Sequence, residues 1–180
     1  MATATLISLE EFERLDTGDE KAELLRGELI HVPPAISRHM KICRELFLRL
    51  HGEVESLRIA KPDLQVGEAY IEMGYLLSTE PRSWLQPDVS VTHRDQAEGR
   101  YYLGAPLMVF EVVSDSDTAA RMEGKVAAYL ATGAAEVWVI YPDTGHAWVH
   151  YSSRTARLET DAITSDLLPG AAIPLSALLQ

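Results

Sequence analysis

Glu111 stands in the middle of Leu107-Met108-Val109-Phe110-Glu111-Val112-Val113, a run that otherwise reads as a buried β-strand. An unpaired carboxylate in an apolar interior costs several kcal/mol, so a fold that contains this strand must neutralise the group, pair it or bind a cation to it. The strand therefore needs a polar pocket built into a sheet. A second acid occupies a comparable place. Asp88, in Trp84-Leu85-Gln86-Pro87-Asp88-Val89-Ser90-Val91, opens another short apolar strand.

The surrounding pattern predicts helices and strands in mixed order. Ser8-Leu9-Glu10-Glu11 is a capping box that starts a short helix running to about Leu15, and Asp16 to Asp19 breaks it. Lys21 to Val32 reads as an extended hairpin turning at Arg26-Gly27, closed by Pro33-Pro34. From Ser37 to about His51 the spacing predicts a helix with Met40, Cys43, Phe47 and Leu50 on its apolar face, ended by Gly52. Extended segments follow up to Ile71, and Gly74 through Pro81 is a loop or irregular hairpin. After the Glu111 strand, Ser114-Asp115-Ser116-Asp117 offers several N-caps for a helix to about Ala131, closed by Thr132-Gly133. Glu136 to Tyr141 is a further apolar strand, paired through Pro142-Asp143-Thr144-Gly145 with Ala147 to Tyr151. Ile173-Pro174-Leu175 leads into a short final helix. The expected fold class is α/β: a mixed central sheet flanked by helices, in a single domain over residues 1–180.

Composition narrows the function. The 180 residues include 16 Lys plus Arg against 27 Asp plus Glu, for a net charge of −11. A nucleic-acid binder ordinarily carries a basic footprint, so any DNA partner is expected to bind weakly. Locally, Arg38, Lys41, Arg44, Arg49, Arg58 and Lys61 outnumber Glu45, Glu53 and Glu55, which makes a basic strip or a solvated helix face. Cys43, the single cysteine, excludes an internal disulfide and a Cys-rich zinc site, and reads as core packing. With no apolar run of membrane-spanning length and no signal-peptide pattern at Met1 to Thr5, the chain is expected to be soluble and cytoplasmic.

Two acids on successive strands with an ammonium nearby are the groups that metal-dependent phosphodiester cleavage requires. Asp88 and Glu111 supply carboxylates for Mg²⁺ or Mn²⁺, and a main-chain carbonyl from Val112 or Val113 supplies a third oxygen. Lys125, beside the apolar face of Met122, Val126 and Tyr129 on the following helix, brings the ammonium to the sheet margin, with Arg121 one turn earlier. The alternative is a structural ion pair in which Lys125 only neutralises Glu111. His39 falls on a helix flank, where it either contacts the site or packs against the core.

Several segments together resemble a known family. Ala22-Glu23-Leu24-Leu25-Arg26-Gly27-Glu28-Leu29-Ile30 with Pro33-Pro34 and Arg38-His39 resembles the opening of the bacterial Uma-type family of restriction endonuclease-like proteins. Gln86-Pro87-Asp88-Val89, Phe110-Glu111-Val112-Val113-Ser114 and Lys125 with Tyr129 resemble its middle. Gly133 to Pro142 and Ser165-Asp166-Leu167-Leu168-Pro169-Gly170 resemble its end. The resemblance implies the PD-(D/E)XK nuclease superfamily and a restriction endonuclease-like core. It makes Asp88 the acid of the "PD" motif and Glu111 the acid of the second motif. The superfamily lysine would stand two residues after Glu111, where this chain has Val113, and the resemblance puts Lys125 in its place. Glu23 matches an acid that joins the site from the N-terminal region. The implied function is a Mg²⁺-dependent DNA endonuclease, in which a homodimer is possible. The alternative is an inactive nuclease fold serving as a binding or regulatory module.

Overall fold

A computed structural model describes residues 6–15, 21–79 and 82–179. The expected break at Asp16 to Asp19 and the Met1 to Thr5 segment lie outside the described residues. Helix α1 (Leu9–Arg14) has the capping box in full, the Ser8 hydroxyl and the Glu11 carboxylate each bonding the other's backbone N–H. Strands β1 (Lys21–Leu25) and β2 (Glu28–Val32) form the hairpin read from the sequence. Its two-residue turn places Arg26 and Gly27 at positive φ, 52° and 83°, the twist a tight hairpin needs.

Helix α2 (Ser37–Ala60) then runs straight through Gly52, nine residues beyond the expected end at His51. Glycine inside a helix costs only about 1 kcal/mol against alanine. Val54 and Leu57 beyond it are buried, which offsets that cost. The buried face is Ile42, Cys43, Leu46, Leu50, Val54 and Leu57. Cys43 and Leu50 were expected there. Met40 is instead 37% exposed, and Phe47 lies at the margin of the core.

The remaining strands are β3 (Val66–Ile71), β4 (Tyr75–Thr79), β5 (Arg82–Leu85), β6 (Val89–His93), β7 (Tyr102–Leu103) and β8 (Met108–Val112). Helix α3 (Ala119–Ala131) is followed by β9 (Glu136–Tyr141), β10 (His146–Tyr151), β11 (Arg157–Glu159), β12 (Ala162–Ile163), β13 (Ile173–Pro174) and α4 (Leu175–Leu178). The N-cap of α3 is Thr118, not one of the four preceding residues. Asp117 instead turns back to accept bonds from the Ser114 N–H and hydroxyl, which closes the loop one residue earlier.

The strands form a six-stranded mixed sheet in the order β11-β10-β9-β8-β6-β3, and a five-stranded sheet in the order β2-β1-β5-β4-β7. In the larger sheet only β8 and β9 run parallel, joined through α3. Alternation along β8 divides the core. Met108, Phe110 and Val112 face α2 together with Val89, Val91, Trp138 and Ile140. Val109 faces the other way, into a second cluster made by Met122, Val126 and Tyr129 of α3 with Tyr75, Leu85, Val137 and Val139. By the same alternation Glu111 points toward α3. Gly124 lets α3 approach β1 closely, since a Cβ there would lie 3.2 Å from Leu25 Cδ2.

Candidate active site

Strands β6 and β8 are antiparallel, with Val89 opposite Phe110. Asp88, one residue before β6, and Glu111, the last residue but one of β8, therefore lie at the same end of the sheet. Asp88 precedes its strand and is held at the strand end by two bonds. The Val112 N–H donates to Oδ2 at 2.7 Å, and His39 Nε2 lies 3.1 Å from Oδ1. Val112 thus engages the site through its N–H, directly beside Glu111.

Glu111 is 4% exposed. Lys125 Nζ lies 2.8 Å from its Oε1, and the Tyr129 hydroxyl donates to the same oxygen at 2.9 Å. Lys125 and Tyr129 are one turn apart on α3, so a single helix face delivers both groups. Lys125 also lies 3.1 Å from Oε2 of Glu23, which is 2% exposed on β1, and the other oxygen of Glu23 accepts from the Gln86 N–H at 3.0 Å. Glu23 is therefore buried, not a charge on an exposed strand. The ammonium bridges the two sheets between two interior carboxylates.

The electrostatics follow from this placement. Burial pushes the Glu111 carboxyl up to about 7. Asp88 and Glu23 add to the rise, while Lys125 opposes it. Burial alone would lower the Lys125 ammonium, but Glu111 and Glu23 override it and hold the group above its ordinary value. For Asp88 burial works upward, and the bonds from His39 and Val112 outweigh it, so the carboxyl stays below its usual range. The bond to Asp88 raises His39 against the opposing effect of burial. The surroundings thus favour an ionised Asp88 and a protonated Lys125, and raise the Glu111 carboxyl above its ordinary range.

These groups line a cleft of about 270 Å³. Its walls include Pro33, Pro34 and Ile36 before and at the start of α2, and Ser114 to Asp117 ahead of α3. Arg121 and Lys21 reach the same cleft. The expected residues Asp88, Glu111, Val112, Lys125 and Glu23 all line it. Sequence reasoning undervalued His39, whose bond to Asp88 joins α2 to β6, and Tyr129, which it placed on an apolar face without a polar role. The signal for Tyr129 was available in its spacing, four residues after Lys125.

The mixed sheet, its crossover helix and the acid-lined edge define a restriction endonuclease-like fold. The chain belongs to the Uma2 family, whose model, described as "Putative restriction endonuclease", matches residues 9–177. A solved structure described as "a putative nuclease belonging to DUF820" from Anabaena variabilis superposes with a TM-score of 0.77 at 19% identity. The match covers 96% of this chain and 97% of that one. No curated protein matches the sequence. Among the described residues, no helix is long and apolar enough to cross a membrane.

Proposed function

We propose that the protein is a metal-dependent nuclease whose cation, Mg²⁺ or Mn²⁺, is held by Asp88 and Glu111 with the Val112 carbonyl as a third oxygen. The observation that supports this most is the buried Lys125 ammonium held between two interior carboxylates, facing the same cleft as Asp88. The residues suit a hard cation. Asp88 and Glu111 are oxygen donors lining the same cleft, and both bonds to Glu111 fall on Oε1, which leaves Oε2 for a ligand. A divalent ion there would acidify a water and withdraw charge from a phosphodiester.

The chain's own residues do the rest. Lys125 stabilises negative charge developing beside Glu111, where the low local dielectric strengthens the interaction. Glu23 fixes the position of the ammonium through Oε2 while the Gln86 N–H fixes Glu23. Tyr129 orients the Glu111 carboxylate. His39 and the Val112 N–H hold Asp88 ionised and aimed at the cleft.

DNA is the proposed substrate. The test is incubation of plasmid and linear DNA with the purified protein in Mg²⁺, Mn²⁺ or chelator. Cleavage is expected with either metal only, and loss of at least a hundredfold is expected in Asp88→Ala and Lys125→Ala. Cleavage that survives Asp88→Ala would assign the activity to a contaminant. No cleavage in any arm would support the second reading, a nuclease fold that only binds. The acidic cleft favours that reading, since six carboxylates line it against Lys21, Arg121 and Lys125.

A further inference from the structure

On the α2 side of the cleft, two donors that phosphodiester chemistry does not use as ligands come together with Asp88. His39 and Cys43 are four residues apart on α2 and therefore share one helix face. Asp88 meets them from the start of β6. One ligand atom from each, an imidazole nitrogen, the thiol sulfur and a carboxylate oxygen, lies within 4.8 Å of the others. A second observation concerns the imidazole. Its Nε2 is bonded to Asp88, but Nδ1 is buried with no hydrogen-bond partner. Nδ1 is on the ring edge away from Asp88, so an ion shared with that carboxylate would take Nε2 in place of the present hydrogen bond, and Cys43, at 2% exposure, has no solvent partner for its thiol.

We propose that His39, Cys43 and Asp88 form a second cation site, selective for a borderline-soft divalent ion such as Zn²⁺ and antagonistic to the Asp88–Glu111 site. Magnesium prefers an all-oxygen shell, whereas zinc accepts nitrogen, sulfur and oxygen together and leaves a fourth position for water. Donors bonded to a tetrahedral zinc stand roughly 3.3–3.8 Å apart, and His39 Nε2 and Asp88 Oδ1 already stand 3.1 Å apart. His39 and Asp88 line the cleft, which gives the ion its way in, and Cys43 lies behind them. On binding, the thiol proton is released to solvent as the sulfur–zinc bond forms. The antagonism, which rests on the reading of Asp88 as a magnesium ligand, follows because two dications sharing that one carboxylate repel each other at short range. Zinc would then act as an inhibitor of the proposed nuclease.

The probe is Co²⁺, titrated into the full chain in place of zinc, because a thiolate ligand gives cobalt an intense near-ultraviolet charge-transfer band. The expected result is that band at one equivalent in the wild type, displaced by Zn²⁺. It should be absent from Cys43→Ser and from Cys43→Ala, with cobalt affinity lowered on the order of tenfold or more in His39→Gln. Two Cys43 variants are used so that one misfolded protein does not decide the matter, and circular dichroism checks each. Added Mg²⁺ should weaken the apparent cobalt affinity of the wild type. Cobalt bound without the band, or a band that persists in either folded Cys43 variant, would overturn the site. A band that Mg²⁺ does not affect would overturn the antagonism alone. All of these readouts are independent of DNA cleavage, so failure of the nuclease reading and failure of this one remain distinguishable.

Discussion

Glu111 carries two opposing demands. Its strand position buries it, and its neighbours Asp88 and Glu23 share its sign, yet Lys125 and Tyr129 both reach its Oε1. The result is a carboxyl raised from its ordinary 4.5 to about 7 in the absence of metal. Between those values the native protein holds a proton that the unfolded chain releases. The stability tied to Glu111 is therefore fully present below about 4.5 and is lost as pH rises through about 7. We expect the metal-free wild type to lose stability across this window relative to Glu111→Gln, measured by urea denaturation at a series of pH values. Parallel curves for the two proteins would show that Glu111 titrates normally. The comparison cancels Glu136, also raised by burial, and His150, lowered by it, because both variants keep them.

A cation bound at Glu111 competes with the same proton. Mg²⁺ or Mn²⁺ should therefore raise the melting temperature of the wild type but not of Glu111→Ala, with a larger rise as pH increases through about 7. A ligand that binds only the native state adds about 2.7 kcal/mol at a hundredfold excess over its Kd. Equal shifts in the two proteins would place the metal elsewhere. At this scale the sequence was informative. A carboxylate inside an apolar strand is a conspicuous expense, and it led to Asp88 and Lys125. It said less about Glu23, because an isolated acid on a hairpin strand looks the same whether it faces water or Lys125. It was also silent on the bond between His39 and Asp88, 49 residues apart, which no local spacing encodes.

Among the elements, those set by local chemistry were readable. The α1 capping box and the Arg26-Gly27 turn depend on residues within four positions of each other. Helix α2 was misread for a physical reason. Gly52 resembles a helix terminator, and only tertiary packing, the burial of Val54 and Leu57, carries the helix onward to Ala60. The choice between the Met40–Phe47 stripe and the Ile42–Leu46 stripe was likewise made by the sheet beneath, since both have helical spacing. The segment Gly74 to Pro81 lacked a period because β4 pairs with β5 through a register shift between Leu76 and Ser78. No atom lies within 4 Å of a Cβ built on Gly52, so Gly52→Ala should add helix propensity without a clash. The expected gain is about 0.5–1 kcal/mol in unfolding free energy, seen as a higher melting temperature. A destabilised variant would mean that α2 does end at Gly52.

For the molecule as a whole, the question is how a chain of net charge −11 would hold a polyanion. The basic strip along α2 is less available than its composition suggests. Arg38 lies 2.6 Å from Asp143, Arg49 pairs with Glu45, and Arg58 pairs with both Glu55 and Glu68. Such exposed pairs contribute little to stability, but each cancels a charge that could meet a phosphate. Arg121 differs. It lines the cleft, and among the described residues no carboxylate pairs with it. The prediction is that DNA affinity is weak, depends on a divalent cation to screen the six cleft carboxylates, and draws on Arg121 and Lys41 more than on Arg49. Binding would be measured by fluorescence anisotropy against salt in Ca²⁺, used to allow binding without cleavage. Loss of one phosphate contact should flatten the slope of log K against log salt by about one unit. Arg121→Gln and Lys41→Gln are expected to show that change, and Arg49→Gln a smaller one. If all three variants keep the wild-type slope, phosphates are not met at the cleft mouth or along α2, and the acidic surface would then direct the search toward a non-nucleic-acid partner.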